Sequence, residues 1–260
     1  MNFVTTTLDN RGVATVTLNN PAKHNAFDDV VIGELTEAFN TLNDNADVRV
    51  VVLAAKGKNF SAGADLGWMK RTANYSREEN IADAQALAGM LKTLNTMTKP
   101  TIARIQGAAF GGAVGLVSCC DMAVAAERAV FSLSEVKIGL IPATISPYVI
   151  AAIGQRAARR YFTTAERFSA AEALTLGLVS KLVSTEEELD HAVTELVKQL
   201  LTSGPQAVTA AKQLAFDMDR EISDQLIAQT CERIADIRTS PEGQEGLTAF
   251  LEKRSPAWVQ

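Results

Sequence analysis

One apolar run constrains the fold of this 260-residue chain more than any other feature. Residues 48–55, VRVVVLAA, are rich in β-branched side chains and lack the alternation of apolar and polar residues that a half-exposed strand shows. Such a run is typical of a strand that is buried on both faces. Strands of this kind occur mainly in parallel sheets that helices cover on both sides. The run therefore predicts an α/β fold.

Strand and helix patterns alternate around this run, which favours parallel pairing with right-handed crossovers. Further strands are predicted at residues 3–8, 13–18, 101–105 and 122–126, with helices after Asp28, before Lys99-Pro100 and at residues 113–119. After Ser184 the pattern becomes helical, at residues 186–201, 205–218, 221–238 and 241–251. We predict an α/β core at residues 1–202 and a helical region at 203–260, joined near Ser203-Gly204-Pro205.

Composition and charge exclude several classes of function. A net charge of -5 argues against a nucleic-acid partner, which requires a basic face. No apolar segment reaches membrane-spanning length, and the N-terminal residues do not resemble a signal or transit peptide. We therefore expect a cytoplasmic protein without a membrane partner. The two histidines and three cysteines lack metal-ligand spacing, so no metal site is predicted.

Two loops of small residues follow predicted strands, SAGAD at residues 61–65 and GAAFGGAVGL at residues 107–116. Ligands of parallel sheets gather at the carboxyl ends of the strands, and the first backbone N–H groups of a helix lack intrahelical partners. The residues alone leave two interpretations open. One N–H group from each loop could form an oxyanion hole. Alternatively, the glycines could simply let a helix pack closely on the sheet.

Five segments resemble the crotonase (enoyl-CoA hydratase/isomerase) superfamily, in the family's order and nearly from end to end. They are LNNPAKHNAF, FSAGADL, GAAFGGAVGLVSCCDMAVA, FSLSEVKIGLIP and AFLEKRSPAW. The resemblance implies a crotonase-like spiral of ββα units with a helical C-terminal region that forms trimers, often as dimers of trimers. It also implies an acyl-CoA substrate and no separate cofactor, because coenzyme A enters as part of the substrate.

The resemblance assigns catalytic roles to three residues. The backbone N–H groups of Ala64 and Gly112 would hold the thioester oxygen as it becomes an enolate, and Glu135 would be the acid/base. The substrate- or CoA-binding positions that it implies are Lys23, Ala26, Ala62, Asp65, Leu66, Gly111, Gly115, Phe250 and Lys253. Asp65 is interpreted as a brace or cap for its loop, and Phe250 and Lys253 as residues that reach a neighbouring subunit's CoA. For Lys23 and Lys253, an exposed and solvated charge remains an alternative.

Position 115 departs from the family pattern, because typical hydratases carry a second glutamate where this chain has Gly115. A hydratase must activate water and protonate the α-carbon, and two carboxylates divide that work easily. Either Glu135 performs both proton transfers or another group assists. The segments AFGGAVGL and SEVKIGLIPATISP resemble a bacterial subgroup that acts on branched, carboxylated enoyl-CoA esters such as 3-methylglutaconyl-CoA or carboxygeranyl-CoA. We hypothesise that the substrate's own carboxylate positions the water where Gly115 leaves room.

The resemblance predicts a hydro-lyase that adds water across the double bond of a 2-enoyl-CoA. The first alternative is a Δ3,Δ2-enoyl-CoA isomerase in which Glu135 shuttles one proton. A hydrolase, decarboxylase or dehalogenase is disfavoured, because the compared segments contain no second Asp, Glu or His in a suitable position. RNA binding, which some relatives show, is disfavoured by the charge balance. A catalytically inactive scaffold remains a further alternative because of Gly115.

Overall fold

The structure, a computed structural model, describes residues 2–218 and 223–259. It begins with an antiparallel hairpin of β1 (Val4–Leu8) and β2 (Val13–Leu18). Gly12 closes the turn with a φ of +84°, a conformation that glycine adopts without a steric penalty. The first helix, α1 (Asp29–Asp44), starts where the side chain of Asp28 accepts hydrogen bonds from the N–H groups of Val30 and Val31.

Four more strands join this hairpin in the main sheet, β3 (Val50–Ala55), β4 (Thr101–Ile105), β6 (Met122–Ala126) and β9 (Lys181–Val183). Among the described residues this sheet has six strands, in the order β1-β2-β3-β4-β6-β9. All neighbours in this sheet run parallel except the first hairpin. The segments after β3 and β4 therefore leave the sheet at the same edge, side by side.

A second, smaller sheet consists of β5 (Ala109–Phe110), β7 (Val130–Ser132) and β8 (Phe168–Ser169). β5 pairs with β7 in parallel, and β7 pairs with β8 antiparallel. Because β5 interrupts the glycine-rich loop, this sheet fixes the direction in which that loop enters the next helix.

Helices cover the main sheet and form the C-terminal region. Besides α1, they are α2 (Leu66–Thr72), α3 (Arg77–Asn95), α4 (Gly112–Cys119), α5 (Ser146–Thr164), α6 (Ala170–Leu176), α7 (Glu186–Leu201), α8 (Pro205–Asp217), α9 (Asp224–Thr239) and α10 (Pro241–Glu252). Single turns of 3-10 helix occur at Pro21–Lys23 and Glu135–Ile138. No helix in the described part of the chain combines the length and apolar character needed to cross a membrane.

The core lies on both faces of β3, as the apolar run predicts. Val51 and Leu53 join the apolar cluster that contains side chains of α1, α3 and α4, whereas Val50 and Val52 join the cluster under α7. All residues of β3 are buried. Full burial of one such side chain contributes about 1.5–3 kcal/mol, so this central strand anchors the segments that leave it.

The predicted α/β fold is confirmed, and most predicted elements agree with the structure to within two residues. The sequence patterns did not reveal the small sheet, α5, α6 or β9. The predicted start of α9 at residue 221 lies outside the described residues. The division at residues 202 and 203 falls between α7 and α8 and stays a prediction.

Candidate active site

The loop at residues 61–65 has one backbone N–H group that no protein acceptor uses. The N–H group of Phe27 donates to the Gly63 carbonyl at 2.9 Å, and the N–H group of Asp65 donates to the Phe27 carbonyl at 3.0 Å. These bonds flank Ala64, as in a parallel β-bridge, so the N–H group of Ala64 points away from Phe27. It has no acceptor among the described residues. This N–H group is therefore available to donate a hydrogen bond to a ligand oxygen.

The second loop presents a similar group at the start of α4. Gly111 precedes the helix with φ +54° and ψ -123°, and its N–H group donates to the Ser132 carbonyl of β7 at 2.8 Å. Gly112 is the first residue of α4, so its N–H group has no intrahelical acceptor. It also finds no acceptor elsewhere in the described ranges. The helix dipole makes this end of α4 favourable for negative charge.

The two loops are in direct contact. The Ser61 N–H group donates to the Ala108 carbonyl, and the Phe110 N–H group donates to the Ser61 carbonyl, both at 3.0 Å. Gly63 has a φ of +87°, and a Cβ atom there would lie 2.8 Å from the Phe110 oxygen. Only glycine permits this approach. The N–H groups of Ala64 and Gly112 therefore belong to adjoining loops, which supports the oxyanion-hole interpretation.

The carboxyl group of Glu135 lies against the second loop. Glu135 begins a 3-10 turn after β7, and a Cβ atom at Gly111 would lie 3.2 Å from its Oε1 atom. Its Oε2 atom is buried and has no hydrogen-bond partner in the described part of the chain. Burial raises the pKa of Glu135 above its ordinary value, and the backbone N–H of Glu135 itself opposes this only in part. A carboxyl group in this state is suited to exchange protons with a bound ligand.

The space beside Gly115 is filled, which corrects the hypothesis that this glycine leaves room for a substrate carboxylate. Gly115 is buried one helical turn after Gly111, so the two positions share a face of α4. A Cβ atom at Gly115 would lie 2.9 Å from Cβ of Ile145, closer still to its Cγ2, and 3.5 Å from Cδ2 of Leu91. An apolar side chain thus stands where a second acid on this face would be.

Asp65 braces the first loop, as predicted. Its Oδ1 atom accepts hydrogen bonds from the N–H groups of Gly67 and Trp68, at 2.8 and 3.1 Å, and so caps α2. Its Oδ2 atom accepts one from Lys23 Nζ at 2.8 Å, and this bond lowers the pKa of Asp65. A cap of this kind stabilises a protein by about 1 kcal/mol. The Lys23 side chain is ion-paired but 59% exposed, so its outer face remains open to solvent.

The predicted CoA-binding positions near Lys23 lie on two segments that are bonded together. The His24 carbonyl accepts a hydrogen bond from the Ala62 N–H group at 3.0 Å, and Ala26 precedes the Phe27 bridge. Ala62 and Leu66 are exposed, and Leu66 is exposed to 74%. Both side chains are therefore accessible from outside the chain.

Residues 9–260 match the family described as enoyl-CoA hydratase/isomerase. The chain belongs to this family.

Solved structures of the family share the whole fold. The chain is similar to an enoyl-CoA hydratase from Shewanella pealeana, with 49% identity, a TM-score of 0.95 and coverage of 99% of this chain and 96% of that one. It is also similar to Pseudomonas aeruginosa AtuE, with 32% identity, a TM-score of 0.95 and full coverage of both chains. A curated relative, enoyl-CoA hydratase domain-containing protein 2, mitochondrial, of Bos taurus is 34% identical over 96% of this chain and 85% of that protein.

The C-terminal CoA-binding positions of this enoyl-CoA hydratase/isomerase family member lie apart from the loops. Phe250 is on α10 and is 80% exposed, and Lys253 ends the helix with a φ of +56°. α10 packs against α8 and α9. No described hydrogen bond joins either side chain to the site within the chain. Their predicted contact with a neighbouring subunit's CoA stays a prediction.

Sequence reasoning missed two apolar residues that shape this family member's site. Phe27 packs against Gly112, where a Cβ atom would lie 2.7 Å from Cε2 of its ring. Ile145 fills the space beside Gly115. Neither contact has a local signal, because each joins segments that are distant in sequence. No cluster of residues that could hold a metal ion occurs in the described ranges.

Proposed function

We propose that this protein is an enoyl-CoA hydratase that adds water across the 2,3 double bond of an enoyl-CoA thioester. One observation carries the proposal. The carboxyl group of Glu135, whose buried Oε2 atom has no hydrogen-bond partner among the described residues, lies against the loop that presents the Gly112 N–H group, and the adjoining loop presents that of Ala64. Two such donors and one carboxyl group are what a reaction through an enolate requires.

The proposed chemistry follows from these groups. The thioester oxygen accepts hydrogen bonds from the N–H groups of Ala64 and Gly112. Glu135 removes a proton from water, whose oxygen attacks C3, and the electrons of the double bond move towards the thioester oxygen. Glu135 then returns a proton to C2, and the carbonyl re-forms. Removal of one oxyanion-hole donor typically costs an enzyme about 2.7–4 kcal/mol of transition-state stabilisation.

Isomerisation is a second candidate, and the packing of Ile145 favours it. Because Ile145 fills the space beside Gly115, Glu135 has no second carboxylate on the neighbouring face of α4. A lone carboxylate is sufficient to remove a proton from C2 of a 3-enoyl-CoA and to return it to C4. Turnover in heavy-oxygen water discriminates between the two reactions, because hydration places the label in the product and isomerisation does not.

We also propose a branched, carboxylated acyl group, such as that of 3-methylglutaconyl-CoA. The support is the resemblance of the segments around Gly115 and Glu135 to enzymes that act on such esters. The substrate's carboxylate would have to lie elsewhere than beside Gly115. Ser146 is a polar residue of the SEVKIGLIPATISP segment, but its hydroxyl already donates to the Ala143 carbonyl at 2.7 Å and is not free to bind the substrate's carboxylate. Equal hydration rates with crotonyl-CoA and 3-methylglutaconyl-CoA would contradict this substrate assignment.

We propose a homotrimer, or a dimer of trimers, in the cytoplasm. The support for assembly is the apolar surface of α10, where Phe250 and Leu251 are 80% and 76% exposed. Adjacent apolar side chains that are this exposed form an apolar patch, and such patches often mark contacts between proteins. Sedimentation analysis tests the assembly, and cell fractionation tests the location. A monomer at micromolar concentration would contradict the first proposal.

A further inference from the structure

A buried amide side chain connects the two loops that present the unpaired N–H groups. Gln106 follows β4, is 0% exposed and immediately precedes the glycine-rich loop. The two N–H bonds of its Nε2 atom are shared among three acceptors, the carbonyls of Ala55, Gly57 and Asn59, at 2.9, 3.0 and 3.0 Å. These carbonyls belong to the end of β3 and the segment that leads into the SAGAD loop. One side chain therefore joins the segments that enter both loops.

The side-chain amide of a second buried residue is hydrogen-bonded to the same segment. Asn25 is 2% exposed, and its Nδ2 atom donates to the Lys56 carbonyl at 2.8 Å and to the Asn59 carbonyl at 3.0 Å. The Asn59 carbonyl thus accepts from both amides. Because carbonyls on both sides of Gly57 are held, this segment cannot shift without breaking buried hydrogen bonds, which is costly.

Close backbone contact also limits the distance between the segment at Gln106 and the segment that leads into the SAGAD loop. A Cβ atom at the next residue, Gly107, would overlap the Lys58 carbonyl oxygen and would lie 3.2 Å from the Asn59 Cα atom. The backbone of Gln106 is held as well, because its carbonyl accepts a hydrogen bond from Arg128 Nε at 2.6 Å. The two segments are therefore in contact here, and the Gln106 amide fixes the position of one relative to the other.

The orientation of the amide is set by its nitrogen alone. Three carbonyl oxygens face Nε2, whereas Oε1 is buried without a hydrogen-bond partner among the described residues. An unpartnered buried oxygen costs free energy. The arrangement thus favours a fixed geometry of the first loop at the expense of one unsatisfied polar atom.

We propose that Gln106 is a positioning residue that sets the spacing between the N–H groups of Ala64 and Gly112. The inference rests on the proposed function, because it assumes that these two N–H groups bind one oxygen. Gln106 is continuous with the loop that ends at Gly112 and is hydrogen-bonded to the segment that leads to Ala64. Loss of the amide removes the hydrogen bonds that join the segments at the start of the two loops, while the direct bonds between the loops and both N–H groups remain.

The test replaces Gln106 with methionine, which has a similar length but no donor. We expect kcat for enoyl-CoA hydration to fall by roughly 10- to 100-fold, because a misplacement of about 1 Å has an effect of this size. We expect the dissociation constant of butanoyl-CoA, a saturated ligand, to change by less than about threefold, since most of its contacts lie elsewhere. The infrared stretch of the bound thioester carbonyl reports the N–H groups directly. Its shift to low frequency in the wild type should become smaller in the variant.

Thr101→Val provides a matched control at the other end of the same strand. Thr101 is also 0% exposed, and its hydroxyl is hydrogen-bonded to Asp121 Oδ2 at 3.0 Å. We expect a comparable loss of stability, but an unchanged kcat and carbonyl stretch. A purely structural role for Gln106 would affect the two variants alike.

Two results would overturn the inference. One is a wild-type kcat and carbonyl stretch in Gln106→Met, and the other is an equal loss in Thr101→Val. If Gln106→Met does not fold, Gln106→Asn, which keeps an amide on a shorter side chain, is judged by the same criteria. If the wild type turns over no enoyl-CoA, the proposed function fails instead, whereas the carbonyl shift of butanoyl-CoA in the two variants still tests the spacing.

Discussion

Burial of Glu135, the proposed acid/base, opposes stability when its carboxyl group is ionised. Its carboxyl group is half-buried, one oxygen has no partner, and burial raises its pKa. The folded protein therefore holds a proton at this site more tightly than the unfolded chain does. Between the unfolded and folded pKa values the unfolded state binds fewer protons, so the stability that this group contributes is lost as pH rises through that range.

Replacing Glu135 with glutamine should remove nearly all turnover, because an amide cannot accept the proton from water. Binding of butanoyl-CoA should persist, since the N–H groups of Ala64 and Gly112 remain. The variant should also unfold at a higher denaturant concentration than the wild type at pH 7.5. This difference should shrink as pH falls through the range between the folded and unfolded pKa values and should level off below 4.5, the ordinary pKa of glutamate, where both states of the wild type are protonated.

Glu37→Gln is the control for that experiment, because Glu37 is exposed on α1. It should leave kcat unchanged. Wild-type turnover in Glu135→Gln would refute the assignment of Glu135 as the acid/base.

The contact between Gly115 and Ile145 predicts the outcome of installing a second acid. Gly115→Glu alone should destabilise the protein by about 1–3 kcal/mol or more, because the new side chain overlaps Ile145. The double variant Gly115→Glu, Ile145→Ala should recover part of this loss. It should also raise the ratio of hydration to isomerisation above that of Ile145→Ala alone. Chemical denaturation and heavy-oxygen incorporation measure the two effects, and a fully stable Gly115→Glu would contradict the packing argument.

At the scale of elements, the bend in α5 depends on one glycine. Gly154 has φ 76° and ψ 156° within the helix, so the segments on either side of it are separate helical runs. This conformation is accessible almost only to glycine, because a side chain would clash with the backbone. The bend is therefore encoded at a single position.

Gly154→Ala should lower the free energy of unfolding by about 1–3 kcal/mol, since it imposes a disfavoured backbone conformation. Gly89→Ala is the matched control. Gly89 is exposed in the regular part of α3, and a Cβ atom there meets no other atom within 4 Å. That change should raise stability by about 0.5–1 kcal/mol, because alanine favours a helix over glycine. Urea denaturation measures both, and equal effects would contradict the role given to Gly154.

The elements differ in how far sequence alone predicts them. β3 was predictable because a fully buried strand needs an apolar side chain at every position. β5 and β8 were not, since two residues are too few to show a period. The two loops that present the unpaired N–H groups were recognisable from their small residues, and their proposed roles from resemblance. The filling of the Gly115 position by Ile145 was not predictable, because it depends on how α4 and α5 pack.

At the scale of the molecule, polar contacts attach α8 to the main sheet. Lys212 Nζ lies 2.8 Å from Asp121 Oδ2, with side chains only 11% and 23% exposed. The same Oδ2 atom accepts hydrogen bonds from the N–H group and the hydroxyl of Thr101. The Thr209 hydroxyl donates to the Thr98 carbonyl at 3.0 Å. These contacts cross the predicted boundary between the core and the helical region.

Lys212→Met should lower the free energy of unfolding by about 1–3 kcal/mol, because the partly exposed Asp121 carboxylate loses its hydrogen bond to a charged group that is itself largely buried. The variant should still unfold in one transition, since α8 is attached to the core at several points. Arg11→Ala is the control, because its ion pair with Asp9 is exposed and should contribute less than about 1 kcal/mol. Two separate transitions in calorimetry would show instead that the helical region folds on its own.

Both proposed oxygen-binding groups belong to the peptide backbone, and this determines how the enzyme can be altered by substitution. Alanine scanning would leave both donors in place and would detect only Glu135 and residues that aim the loops. Substitutions in the two loops of small residues would change activity through the volume of the new side chain rather than through its chemistry. A library designed to change reactivity should therefore vary size at Gly63, Gly111 and Ile145.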